Sequence, residues 1–301
     1  MPKIPLMVIG VLAAIIAAFL TISHIANITF NQKAKKEVGD FFTGIEDKGE
    51  IIQESDLAEL PPSVQKWLVY SQVIGKERIT TARLKQTAVM RLKKEGRWMP
   101  LEAEQYFTVD KPGYIWIAKV KAAPLMHIGA RDKYHAGKGN VLIKFLSLAT
   151  VANSKGEETD QGSLVRYLAE TMWIPTAALS NHITWEEIDG RSARATMSYA
   201  GITASGVFHF NEKGQVINFI APRYGEFDGK FALETWSIPV KEYGEFDGIR
   251  VPTRGDVIWK LKTGDFNWYK FEVKKIEYNK PFAYTGDDSL FYLSFFHSFW
   301  T

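Results

Sequence analysis

The stretch DVIWKLKTGDFNWYKFEVKKIEY, residues 256–278, decides the fold. Two runs dense in Val, Ile, Phe, Tyr and Trp stand on either side of Lys262-Thr263-Gly264. Such residues suit a pleated, half-buried surface, and a short Gly-containing segment between two such runs reads as a hairpin. The same grammar recurs upstream in LEAEQYFTV (101–109), YIWIAKVK (114–121), NVLIKFL (140–146), SARATMSYA (192–200), ASGVFHF (204–210), QVINFIA (215–221) and KFALETWSI (230–238). Turn signals fall between them at Glu95-Gly96, Lys111-Pro112-Gly113, Lys138-Gly139, Asp189-Gly190, Glu212-Lys213-Gly214, Asp228-Gly229 and Asp247-Gly248. From Ile79 a period of two begins: Ala82, Leu84, Gln86 and Ala88 alternate with Thr81, Arg83, Lys85 and Thr87. The expectation is a mainly β protein with a few helices, its strands in an antiparallel meander or barrel.

Two helical patterns break this rhythm. Val64, Trp67 and Leu68 fall at i, i+3, i+4 after Pro61-Pro62, which predicts a short amphipathic helix. GSLVRYLAETMW (162–173) carries Leu164, Leu168 and Met172 on one stripe, and Pro175 ends it. YGEFDG at 224–229 recurs at 243–248. Its Asp-Gly dipeptides point to two hairpin turns; a metal loop would need more oxygen ligands than each copy offers.

At the N-terminus, no charged residue occurs from Ile4 to Gln32. The run from Ile4 to Ile22 is as long as a helix needs to cross a bilayer core of about 30 Å. A cleaved signal peptide would call for a shorter apolar run and a small-x-small site, which TISHIANITF (21–30) does not offer. The expectation is one uncleaved, single-pass span, with the bilayer as partner. Lys3 and the α-amine stand on one side of it, and Lys33, Lys35 and Lys36 on the other, which leaves the side of the folded domain open. Residues 1–32 are read as the anchor, 33–60 as tether and short helix, 61–288 as the β-rich domain and 289–301 (SLFYLSFFHSFW and Thr301) as an aromatic tail.

The chain holds 37 Lys and Arg against 34 Asp and Glu. Four of the basic residues flank the apolar run, so residues 37–301 carry 33 against 34, a net of −1. A concentrated basic face is missing from this count, and nucleic acid is not expected as a partner. With no Cys there can be no disulfide, thiolate nucleophile or Cys-ligated zinc. The six His lack metalloprotease spacing, and no nucleotide-binding or serine-hydrolase motif occurs. No catalytic residue, metal or cofactor is expected. Arg166 and Glu170, four apart on the predicted helix, form either an ion pair or a polar pair facing a cavity, with Arg131 and Asp132 as further members.

WMPLEAEQYF (98–107), PGYIWIA (112–118), GARDKYHAGKG (129–139), RYLAE (166–170), WIPTAAL (173–179), Trp185 to Asp189 and DGIRVPTRGDVIWKL (247–261) resemble an uncharacterised prokaryotic membrane-anchored family with no established activity. The order of strands, one inserted helix and a late hairpin is similar to the lipoprotein-carrier half-barrels. That resemblance implies a curled antiparallel sheet partly filled by the inserted helix, with a cavity for acyl chains. Trp116, Trp173, Trp185 and Trp236 then become candidate cavity wall, and a lipid or other apolar molecule the candidate ligand. The alternatives are a membrane-associated hydrolase using Arg131, Asp132, Arg166 and Glu170, and a protein-interaction scaffold.

Overall fold

A computed structural model describes residues 4–46 and 49–285. The aromatic tail at 289–301 lies outside the described residues.

Thirteen strands form one antiparallel sheet. The first six are β1 (Thr81–Met90), β2 (Met99–Thr108), β3 (Gly113–Ala123), β4 (Met126–His135), β5 (Lys138–Phe145) and β6 (Ala149–Ser154). They are followed by β7 (Ile183–Asp189), β8 (Ser192–Tyr199), β9 (Ile202–Phe210), β10 (Val216–Phe227), β11 (Lys230–Phe246), β12 (Ile249–Leu261) and β13 (Gly264–Tyr278). The spatial order is β6-β5-β4-β3-β2-β1-β13-β12-β11-β10-β9-β8-β7. Two meanders are therefore joined where the first strand pairs with the last, Ala82 opposite Tyr278 and Met90 opposite Tyr269. The edges are β6 and β7, and the chain between them forms α3 (Glu157–Glu170) and two 3-10 turns, Thr171–Trp173 and Pro175–Leu179. This is the curled half-barrel with an inserted helix.

The stretch at 256–278 is the β12–β13 hairpin, with Leu261 opposite Gly264. Both YGEFDG copies end in hairpin turns: Asp228-Gly229 and Asp247-Gly248 all have positive φ, the geometry of a tight primed turn. Lys138-Gly139 is not a turn. The reversal falls at Ala136-Gly137, since His135 pairs with Lys138 and Tyr134 with Gly139, and the Gly139 N–H donates to Asp160 Oδ1 on α3 at 2.7 Å.

The sheet is covered on both faces around β1–β4, while the outward positions of β7–β11 stay partly or fully exposed. In its concavity, α2 (Pro62–Tyr70) places Trp67 against Phe208 with stacked rings 5.7 Å apart, and α3 inserts Leu164, Val165 and Leu168. On the convex face a second core joins Phe30, Ala34, Val38, Phe41 and Phe42 to Tyr106, Ile115 and Ile117. The first five belong to, or directly follow, α1 (Ile4–Phe41), one unbroken helix of 38 residues. It does not stop at residue 32, since the sequence holds no Pro or Gly from 11 to 38 to interrupt it. Lys33, Lys35 and Lys36 lie within it, and Lys35 Nζ donates to the Tyr284 carbonyl at 2.7 Å.

The docked half of α1 runs along β4. Phe41 meets His135 at one end, Phe30 lies over Gly129, and Asn27 accepts from Ser147 Oγ at 3.3 Å in the β5–β6 turn. Gly113 and Gly129 permit this approach, since a Cβ there would come within 2.9 and 3.2 Å of the Phe41 and Phe30 rings. Residues 7–22 touch little and project past the sheet end that carries the β3–β4 and β5–β6 turns. By length and composition this helix suffices to cross a membrane.

Candidate functional site

Because α3 crosses from β5 to β9 and β10, it fills only part of the concavity. The remaining space is a cavity of about 380 Å³. Its wall is apolar: Met90, Val120, Ile128, Ile143, Val257 and Phe271, with Trp116, Trp173, Trp236 and Trp268 among the aromatic residues. Inward strand positions supply this wall, as the period of two requires; Ile128, Ala130 and Asp132 line it from alternate positions of β4. Leu92 and Val151, 68% and 61% exposed, mark the mouth. The mouth opens at the sheet end past which α1 projects. Leu125, Met126 and Leu148 are also exposed in the turns there.

The cavity base is polar. Arg166 donates from Nε to Glu170 Oε1 and from Nη1 to Asp132 Oδ2, both at 2.8 Å. Gln105 donates to the other Glu170 oxygen at 2.6 Å, and Gln86 links Gln105 to the Tyr269 hydroxyl. One guanidinium thus serves two carboxylates, and a side-chain chain runs across β4, α3, β2, β1 and β13. Burial pushes the Asp132 and Glu170 carboxyls above their ordinary values, although Arg166 pulls both down. Burial also opposes the charge on Arg166, but Glu170, Tyr114 and Asp132 together hold it above its usual range.

Arg223 of β10 also lines the cavity, and sequence reasoning missed it. Its Nε donates to the Gly162 carbonyl of α3 at 2.8 Å. Its guanidinium carbon lies 4.7 Å from the centroid of a Trp236 ring and 5.6 Å from one of Trp259. Burial lowers this guanidinium to about 10; Tyr114 opposes the drop and the neighbouring Arg166 adds to it. A signal for it existed. Phe219, Ala221 and Arg223 alternate on β10, so a period-two reading carried past Ala221 puts an arginine on the apolar face.

Of the residues singled out by sequence, Trp116, Asp132, Arg166, Glu170, Trp173 and Trp236 come together around this cavity. Arg131 and Trp185 do not. Arg131 points to the convex face, where its Nε lies 3.5 Å from Glu37 of α1, because adjacent strand residues face opposite ways. Trp185 packs on Trp67 and Phe208 and donates to the Ala178 carbonyl at 3.0 Å. Among the described residues no cluster of three or more His, Asp or Glu could hold a metal ion.

Similar architectures occur among solved structures. A DUF1329 family protein from Desulfovibrio piger superposes with a TM-score of 0.42 at 6% identity, covering 73% of this chain and 93% of its own. A LolA superfamily protein from Nitrosomonas europaea gives 0.39 at 10% identity, with 76% and 99% covered. A domain described as outer membrane lipoprotein-sorting, from Vibrio parahaemolyticus, gives 0.37 at 6% identity, with 66% and 86% covered. No curated protein matches the sequence. Residues 50–271, well over half of the chain, match the model of one family, and the chain belongs to it: a family of unknown function, DUF6544.

Proposed function

We propose that this protein is a membrane-anchored binding protein that holds a lipid or other apolar ligand inside the half-barrel, with α1 as its single span. One observation carries the reading: an apolar, tryptophan-rich cavity opens at the same end of the sheet from which the apolar half of α1 projects. With α1 in a bilayer, the mouth faces the lipid and the exposed Leu92, Leu125, Met126, Leu148 and Val151 lie toward the headgroup layer. Ligand sites are usually concave and apolar, with a few convergent polar groups, and this cavity has that form. A hydrolase built on Arg131, Asp132, Arg166 and Glu170 is not supported, because Arg131 faces away and Arg166 is occupied by both carboxylates.

The test is mass spectrometry of organic extracts from the purified full-length protein. Lipid above the level carried by an unrelated single-span protein is expected. Ile128→Trp, at a partly exposed position of the cavity wall, is expected to reduce it several-fold without lowering the melting temperature. Equal lipid in Ile128→Trp and wild type would place the lipid outside the cavity and defeat the reading.

A further inference from the structure

We infer that the cavity selects a single-chain amphiphile with an anionic head, a carboxylate or phosphate monoester, and that Arg223 receives that head. The inference rests on the apolar-ligand reading above and adds the chemistry of the ligand's polar end.

The first observation is the asymmetry between the two cavity arginines. Arg166 donates to two carboxylates. Arg223 lines the same cavity and, among the described residues, makes no ion pair; its one hydrogen bond uses Nε. The forked terminal nitrogens are left for another acceptor. A guanidinium presents donors in a planar fork that matches carboxylate and phosphate oxygens. Trp236 and Trp259 cover it and Gly162 fixes its inner edge, so the fork is held in place before any ligand arrives.

A second observation points the same way. The indole N–H groups of Trp116, Trp236 and Trp268 are buried and have no acceptor, and all three rings line this cavity. Trp116 and Trp236 are only 7% and 4% exposed. Buried donors without acceptors are rare in native proteins. These N–H groups are closed to the cavity space itself, so they surround the head with unpaired donor dipoles while Arg223 makes the contact. Both nearby carboxylates are already held by Arg166, and Glu170 also by Gln105, so neither neutralises Arg223 directly.

Size sets the rest of the ligand. Ligand cavities run from about 300 to 1,000 Å³, and a space of about 380 Å³ lies near the small end. That suits one acyl chain rather than several. The chain would lie along the Met90, Ile128 and Val257 wall toward Leu92, with its head at the polar base.

The test uses the full-length protein in nanodiscs and reads quenching of the cavity tryptophans by brominated chains. 11-Bromoundecanoic acid and 11-bromoundecanol share a chain and differ in the head. Wild type is expected to bind the acid at least tenfold more tightly than the alcohol at neutral pH. Arg223→Gln is expected to weaken the acid at least tenfold and the alcohol by far less, so that the preference for the acid collapses, with Arg223→Lys in between because it keeps the charge without the fork. Equal affinity of wild type for acid and alcohol overturns the inference and leaves the apolar-ligand reading standing. This comparison needs no variant, so it holds if Arg223→Gln fails to fold. Saturable binding of neither probe overturns both. Competition by inorganic phosphate as effective as by dodecyl phosphate would show a free-anion site and also overturn the inference.

Discussion

Replacing Arg166 by Met removes the one cation shared by Asp132 and Glu170. The two ion pairs are short, 2.8 Å each, and the side chains involved are only 10–19% exposed. Deleting one partner of a buried pair costs about 3–5 kcal/mol, because the other charge stays buried without compensation. Here two charges are stranded, so the upper half of that range applies. For a domain of this size each kcal/mol moves the melting temperature by about 2–4 °C, so Arg166→Met should lower it by roughly 8–20 °C at pH 8. The deficit must also depend on pH. Burial already raises both carboxyls, and losing Arg166 raises them further. A carboxyl whose folded value lies above its unfolded one favours folding when protonated, and that contribution is lost as pH rises through the folded value. The variant should therefore recover much of its deficit at pH 5. The triple variant Arg166→Met, Asp132→Asn, Glu170→Gln strands no charge and should melt close to wild type at both pH values. The assay is tryptophan fluorescence against temperature on the full-length protein. A single-variant shift below about 2 °C at pH 8, or an equal deficit at pH 5 and 8, would refute the picture of a buried, shared guanidinium.

Two more outcomes follow from the packing. Gly206→Ala should destabilise by about 1–3 kcal/mol, because its Cβ would meet the fully buried Phe219 ring at 2.2 Å; a melting temperature within 1 °C of wild type would contradict that contact. Burial of Glu277 pushes its carboxyl up, but Lys280, Arg83 and Lys275 more than offset this and draw it to about 2. Its stabilising contribution is complete above the ordinary value of about 4.5 and drains away as pH falls toward 2. The stability gap between wild type and Glu277→Gln should narrow across that window, and a constant gap in acid titrations would count against the Arg83–Glu277 pair.

Local composition and turn signals made the strands legible, since residues 256–278 are two runs rich in Val, Ile and aromatic residues around a Gly-containing turn, and the Asp-Gly dipeptides mark two sister turns. The stripe of Leu164 and Leu168 likewise marked α3, although the helix begins earlier, at Glu157. What local pattern cannot carry is pairing between distant segments. Nothing near Ala82 names Tyr278 as its partner, yet that contact turns two meanders into one curled sheet. The site was legible to the same extent. The four-residue spacing exposed the Arg166–Glu170 pair, while Asp132 joined it only through the curl of the sheet. Arg131 was drawn in by adjacency to Asp132, and the alternation of a strand sends neighbours to opposite faces.

The continuity of α1 bears on how a ligand would move. Helix runs unbroken from the apolar segment to the face of β4, and Phe30, Val38 and Phe41 clamp it there. With the span in a bilayer, the domain rides on a stiff mast at fixed height and tilt, with no slack leash. Anchored in this way, it would have no swing radius with which to ferry cargo across an aqueous gap. On the proposed reading, a ligand of the half-barrel would be taken up and handed on within reach of one membrane surface, and a partner in that exchange would come to the mouth.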